Sequence, residues 1–418
     1  MLASPERCPL PTLEGRGDIC ESIFAVQDKP CIRGQHSALC LDFPERSLSE
    51  SEYEAACAAA HSPWVRVQLI DNEIFVVNMK HNKLASKYPR ILLRHLRHIA
   101  SAARIIKLPD VDFLISVADG SPSWPVFAHN NPSWRRDKTR TYHVPTDTGV
   151  SKTTPPPTGD VCGSSASRAE RARWAQKDQR LQFRGSATGS PVNRTGWSRN
   201  SRARLAVLST LFPDWVDAKL TQLWTEPAET ELLSHFIKLG KGMAMAESKT
   251  YKYVIYLDGH SQSNRLAALM HAGPIVLFTS NHDVQYSASL HRIPHVINVK
   301  SDLSDLMTVL GCLRAHDDVA LERQRLGVEA ARELITYANG VTLYWADLIE
   351  HYSRLQQFKV TRHPLAVTSA KYRYLINGKW VALDREEIKE LEYPYIDVAA
   401  FKRNRTAEAA ATNDDASE

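Results

Sequence analysis

The stretch that most limits the fold runs from Tyr251 to Phe278, YKYVIYLDGHSQSNRLAALMHAGPIVLF. A β-rich apolar run, Tyr253 to Leu257, ends at Asp258-Gly259, and the polar loop His260 to Ser263 follows. Leu266, Leu269 and Met270 then recur at the spacing of one helix face, Gly273-Pro274 stops that helix, and Ile275 to Phe278 begins a second strand. Strand, tight turn, helix and strand make a parallel βαβ unit, which needs cover on both faces of its sheet. Arg265 is the oddity. It falls in the first helical turn, where the macrodipole is positive and disfavours a cation by roughly a few tenths of a kcal/mol. Either it merely reaches water, or the helix start and the arginine attract the same anion.

A second loop has the same character. In FRGSATGSPVNRTGWSRNSRARL, Phe183 to Leu205, a strand again ends in Gly, Ser and Thr before a helix, and Arg194, Arg199, Arg202 and Arg204 crowd the helix start. No Lys-Ser/Thr follows Gly189 and no GxGxxG is present, so neither the Walker ATPase nor the dinucleotide reading is supported. A solvated basic loop is the plain alternative. Two such loops in one region favour a shared diphosphate ligand. A third strand end carries Asp119, at the close of FLISVADG, a good place for a general base or for an Asx turn. His316-Asp317-Asp318 reads as a helix start rather than a metal cluster, and His282-Asp283 as a turn or a ribose contact. Asn193-Arg194-Thr195 and Asn404-Arg405-Thr406 match the weak glycosylation pattern.

Strands and helices alternate along most of the 418 residues, which implies an α/β fold with parallel sheets in more than one domain. WVRVQLIDNEIFVVNM reads as a hairpin turning at Asp71-Asn72, and RILLRHLRHIASAARI as an amphipathic helix. The expected organisation is an irregular cysteine-rich segment over 1–62, an acceptor-side domain over 63–178, a nucleotide-binding domain over 179–359, and an extension with a disordered tail over 360–418. A Pro/Thr/Ser/Gly-rich loop near 145–170 interrupts the first domain. A net charge of +5 is mild for this length and excludes a dedicated nucleic-acid binder. No apolar run reaches bilayer length. Five of the seven cysteines, Cys8, Cys20, Cys31, Cys40 and Cys57, crowd the start, without a CxxC pair. They suggest disulfides in an oxidising lumen, or else buried thiols in a cytosolic protein.

Seven pieces in order, LPDVDFLISVADG, PVFAH, RWAQKDQRLQFRGSATG, LAVLSTLFPDWVDAKLT, the 251–278 stretch, HVINVKSDLSDL and YWADLIEHYSRL, resemble the Rumi-type protein O-glucosyltransferases and the capsule-associated xylosyltransferases, the CAP10-like glycosyltransferases. The match runs from about Trp64 to Leu355. The resemblance implies a GT-B-like fold, two Rossmann-like domains facing a cleft, and sugar transfer from a UDP-sugar with inversion and no required metal or other cofactor. It makes Asp119 the catalytic base. Ser186, Arg202, Ser263 and Arg265 fall on motif positions associated with the donor's phosphates. Arg184, Gly185, Thr188, Gly259, Ser261 and Asp283 complete the expected donor site. UDP-glucose or UDP-xylose is the expected donor and a protein or glycan hydroxyl the acceptor. A catalytically silent sugar-nucleotide-binding homologue is the alternative.

The resemblance also implies the endomembrane lumen or secretion. The N-terminus has no secretory h-region, so the cytoplasm stays open. Two departures bear on the chemistry. Asp119-Gly120-Ser121-Pro122 is one residue longer than the family's D-x-P, and FRGSATG has one arginine fewer than FRGSRTS.

Overall fold

The computed structural model describes residues 20–24, 32–37, 39–41, 46–60, 64–77, 89–116, 125–128, 131–132, 165–193, 196–223, 225–283, 286–368, 373–376 and 379–382. They form two compact units. Described residues between 32 and 146 and those from 337 onward make the first, and residues 20–24 with those from 165 to 336 make the second. The helix Tyr344–Leu355 therefore belongs to the first unit, although its sequence follows directly on the strands and helices of the second.

The first unit is built on a five-stranded sheet in the order Ala366–Thr368, Glu73–Val77, Trp64–Ile70, Val111–Ser116, Val126–Phe127. The expected hairpin is present. Ile70 pairs with Glu73, and Asp71 and Asn72 take φ of 50° and 62°, the doubly left-handed turn that suits two antiparallel strands. The expectation of a parallel sheet fails here. Trp64–Ile70 is antiparallel to both its neighbours, and only the Val111–Ser116 and Val126–Phe127 pair runs parallel. A two-residue turn can join only antiparallel strands, so the hairpin itself already ruled out a wholly parallel sheet.

Helix Pro89–Ile105 buries Leu92, Leu96, Ile99 and Ala102, with His95 and His98 on the same buried stripe. Phe113 and Phe127 stack at 4.7 Å, and Tyr352 meets Phe127 edge-on at 5.0 Å. Asp112 is buried in Val111–Ser116 and accepts from Arg66 Nη2 at 2.7 Å, Gln68 Nε2 at 2.6 Å and the Tyr53 hydroxyl. That satisfies a carboxylate which would otherwise be costly to bury. The 1–62 segment is not wholly irregular. Helix Glu50–Ala59 starts with Ser49 and Glu52 capping each other's backbone N–H groups, a signature readable in SLSESE.

The second unit holds five parallel strands: β1 (Asp178–Gly185), β2 (Val216–Leu220), β3 (Tyr251–Tyr256), β4 (Ile275–Phe278) and β5 (Val296–Asn298). Their order in the sheet is β2-β1-β3-β4-β5. All six residues of β3 are buried, as a central strand covered on both faces must be. Arg265, expected in the first helical turn, is instead the residue just before helix Leu266–Ala272.

Cys20 and Cys312 are disulfide-bonded across 292 residues, fastening the short helix Glu21–Phe24 to helix Leu306–Ala315. The expected disulfide thus reaches out of the N-terminal cluster instead of closing within it. Cys57, in the first unit, is buried and unpaired. Cys8, Cys31 and Cys162 lie outside the described residues. Asp317 is no metal ligand in this arrangement: its carboxylate accepts from the buried Lys252 at 2.8 Å and from Trp174 Nε1 at 3.0 Å. Among the described residues no helix is long and apolar enough to cross a membrane.

Candidate functional site

In the order β2-β1-β3-β4-β5 the chain leaves β1 toward one edge and β3 toward the other. The crevice beyond the carboxyl ends of β1 and β3 is therefore the switch point where such sheets take ligands. The two loops flagged in the sequence leave from these two ends, Ser186 onward after β1 and Leu257 onward after β3. They touch glycine to glycine. Gly189 has φ +112°, and a Cβ there would stand 3.2 Å from the Gly259 carbonyl oxygen. A Cβ on Gly259 would stand 2.7 Å from Thr188 Oγ1. A side chain at Gly189 would be strained by that φ, and one at Gly259 would force Thr188 to shift.

Arg202 clamps the loops together. Its Nε donates to the Asp258 carbonyl at 2.7 Å and Nη2 to the Leu257 carbonyl at 3.0 Å. Its Nη1 donates to the Ser186 carbonyl at 3.0 Å and to Thr188 Oγ1 at 2.7 Å. Four of the five guanidinium donors are thereby committed to the protein. Arg265 is less engaged. Its Nε donates to Ser263 Oγ at 3.3 Å and Nη1 to the Arg184 carbonyl, while Nη2 lies beside Gly185.

Among the described residues neither guanidinium contacts a carboxylate. Burial first, and the Arg265 charge second, push Arg202 down to about 10, and burial lowers Arg265 too. Arginine stays charged at neutral pH regardless, so the direction reports two cations withdrawn from water, with the nearby Asp258 carboxyl offsetting Arg202 only in part. Such a pair at a switch point suits a dianion.

The remaining residues divide. Ser261 and Ser263 lie on the β3 loop, with the Ser263 N–H donating to the buried Tyr256 hydroxyl at 2.8 Å. Arg184 points elsewhere. Successive side chains alternate across a strand, and its Nη2 meets both carboxylate oxygens of Asp217 at 2.9 Å. Only its carbonyl serves the site. Asp283 closes the short strand His282–Asp283, and its side chain lies outside the described residues, as does all of Asp119.

Three groups went unnoticed in the sequence. Asn200 is the N-cap of Ser201–Leu211. Its Oδ1 accepts from the N–H groups of Arg202 and Ala203, while Nδ2 donates to the carbonyls of Thr188 and Ser190. An asparagine just ahead of a helical run is the available signal. Asp258 is held by Ser280 Oγ at 2.8 Å and the Asn281 N–H at 2.6 Å, and burial raises its carboxyl above the usual range. Phe183 lies beneath both guanidinium groups.

The model of glycosyl transferase family 90 matches residues 153–381, more than half of the chain. The chain belongs to glycosyl transferase family 90. Every donor-site candidate from Arg184 to Asp283 falls inside the family 90 match, and Asp119 precedes it. Protein O-glucosyltransferase 1 of Homo sapiens is 29% identical over 275 residues, covering 61% of this chain and 65% of the relative. Protein O-glucosyltransferase 2 of Danio rerio is 27% identical over 277 residues, 62% of this chain and 51% of the relative. A viral relative, Uncharacterized protein 027R of Frog virus 3, is 29% identical over 196 residues, 42% of this chain and 20% of its own length. The chain thus spans less than two thirds of the length of each of these relatives.

Proposed function

We propose that the second unit binds a UDP-sugar by its diphosphate at the β1/β3 switch point, and that the chain transfers glucose or xylose to a hydroxyl of a protein or glycan acceptor. The observation that carries this reading is the pair Arg202, buried, and Arg265, half-buried, beside the strand ends with no ion pair to a carboxylate at either among the described residues. Membership of family 90 and likeness to proteins named protein O-glucosyltransferases support it. The second unit, with its parallel sheet, supplies the Rossmann-like donor half of that reading, and the first unit's antiparallel centre departs from it.

Asp119 takes the proton of the acceptor hydroxyl as its oxygen attacks the anomeric carbon. The bond from that carbon to the UDP oxygen breaks from the opposite side, so an α-linked donor gives a β-linked product. Negative charge grows on the departing diphosphate, and fixed donors aimed at it lower the barrier more than mobile water does. Arg265, whose Nη2 has no hydrogen-bond partner among the described residues, is the direct partner of that charge, and no metal is required. The Cys20–Cys312 disulfide supports an oxidising compartment, the endomembrane lumen or the exterior.

The test is a hydrolysis and transfer screen with UDP-glucose and UDP-xylose, with and without a chelator. Expected is turnover that survives chelation. Asp119→Asn should lower it by about 10²–10⁴-fold while UDP binding persists. Wild-type protein that binds UDP yet turns over no donor would leave a silent sugar-nucleotide-binding module as the function.

A further inference from the structure

Phe183 sits in the interior strand β1, 2% exposed, where an apolar residue would pass as ordinary core. Its surroundings are not ordinary. The Arg202 guanidinium carbon lies 5.7 Å from the ring centroid and that of Arg265 lies 5.3 Å from it. Both fall within the roughly 6 Å over which a ring face attracts a cation. Gly185 makes room for this. It shares a face of the strand with Phe183, and a Cβ on it would stand 2.8 Å from Arg265 Nη2 and 3.0 Å from Phe183 Cζ. Two like charges this close repel one another, and the repulsion is least screened where water is excluded. A carboxylate would hold both arginines but would also cancel the charge that an incoming anion needs. An aliphatic side chain would leave them unheld.

We propose that Phe183 is a positioning residue for the diphosphate end of the donor: its ring face holds Arg202 and Arg265 side by side in place of a carboxylate, keeping both charges available to the ligand. This rests on the UDP-sugar reading above. The ring touches no reacting atom and acts through the two guanidinium groups. Tyrosine fits the role, and leucine, of similar apolar character, does not.

The experiment replaces Phe183 in the full chain by phenylalanines carrying one, two and three ring fluorines. These withdraw charge from the ring face while nearly preserving its shape. UDP affinity is measured by calorimetry and the thermal midpoint is followed in parallel. Expected is a stepwise loss of affinity reaching about tenfold at three fluorines, with the midpoint unchanged. Phe183→Leu should lose at least as much, Phe183→Tyr should stay near wild type, and Arg265→Ala should flatten the fluorine series. Affinity that is flat across the series, while wild type binds UDP, overturns the positioning role and leaves the donor site standing. Wild-type protein that does not bind UDP overturns the donor reading and this inference with it.

Discussion

Arg202 and Arg265 carry the same charge over one phenylalanine ring and have different neighbours. Arg202 is tied to three carbonyls and a hydroxyl from two loops, so its loss should disorder the loops as well as remove a charge. Arg265 has fewer ties. Arg265→Ala is expected to weaken UDP binding by about 1.5–3 kcal/mol, the range for hydrogen bonds to charged groups, in a protein whose thermal midpoint barely moves. Calorimetry beside a melting curve checks both halves, and unchanged affinity in a folded variant would remove Arg265 from the site.

That Arg265 stands out was legible in the sequence, because a cation at a helix start is locally unfavourable. That Arg202 is a clamp was not legible, since its partners come from loops more than fifty residues apart in the chain. Arg184 looked like its neighbours in FRGS, and only strand alternation and the carboxylate of Asp217 separate it from them.

Among the elements, the loop after β1 depends on one side chain. Asn200→Ala removes a helix cap, worth about 1 kcal/mol, and two bonds to the carbonyls of Thr188 and Ser190. A loss of roughly 1–3 kcal/mol in unfolding free energy is expected, with weaker UDP binding. Asn200→Asp keeps the cap without the two donors and should fall between.

The packing of helix Asp317–Leu334 makes a different demand. His295 is fully buried, its Nε2 bonded to the Met270 carbonyl at 3.0 Å, and a Cβ on Gly327 of that helix would overlap its ring. Burial holds the His295 imidazole down at about 4, below its value of about 6.5 in an unfolded chain. The unfolded state therefore binds the proton first. Stability is full above about pH 6.5 and is lost as pH falls toward about 4. Thermal midpoints across that window should decline less steeply in His295→Gln than in wild type. The βαβ unit around β3 was readable because its two periodicities differ. The order of strands in either sheet was not, because pairing partners leave no local mark on a strand.

At the scale of the whole molecule, the two units differ in kind. The second shows the doubly wound order that ligand-binding α/β sheets share, while the first has an antiparallel centre. The Cys20–Cys312 bond braces the second unit alone. Cys312→Ser is expected to cost on the order of 2–5 kcal/mol, read from denaturant midpoints, and a reductant should bring wild type toward the variant. The cysteine count hinted at such a bond, but the partner could not be read from spacing.

The same bond sets an order of events during synthesis. Cys20 emerges from the ribosome 292 residues before Cys312. At elongation rates of about 5–20 residues per second, it waits roughly 15–60 s for its partner. Throughout that interval Cys8, Cys31, Cys40 and Cys57 are the nearer cysteines along the nascent chain. Yield of correctly paired protein should therefore depend on a disulfide isomerase, and less so on the speed of oxidation.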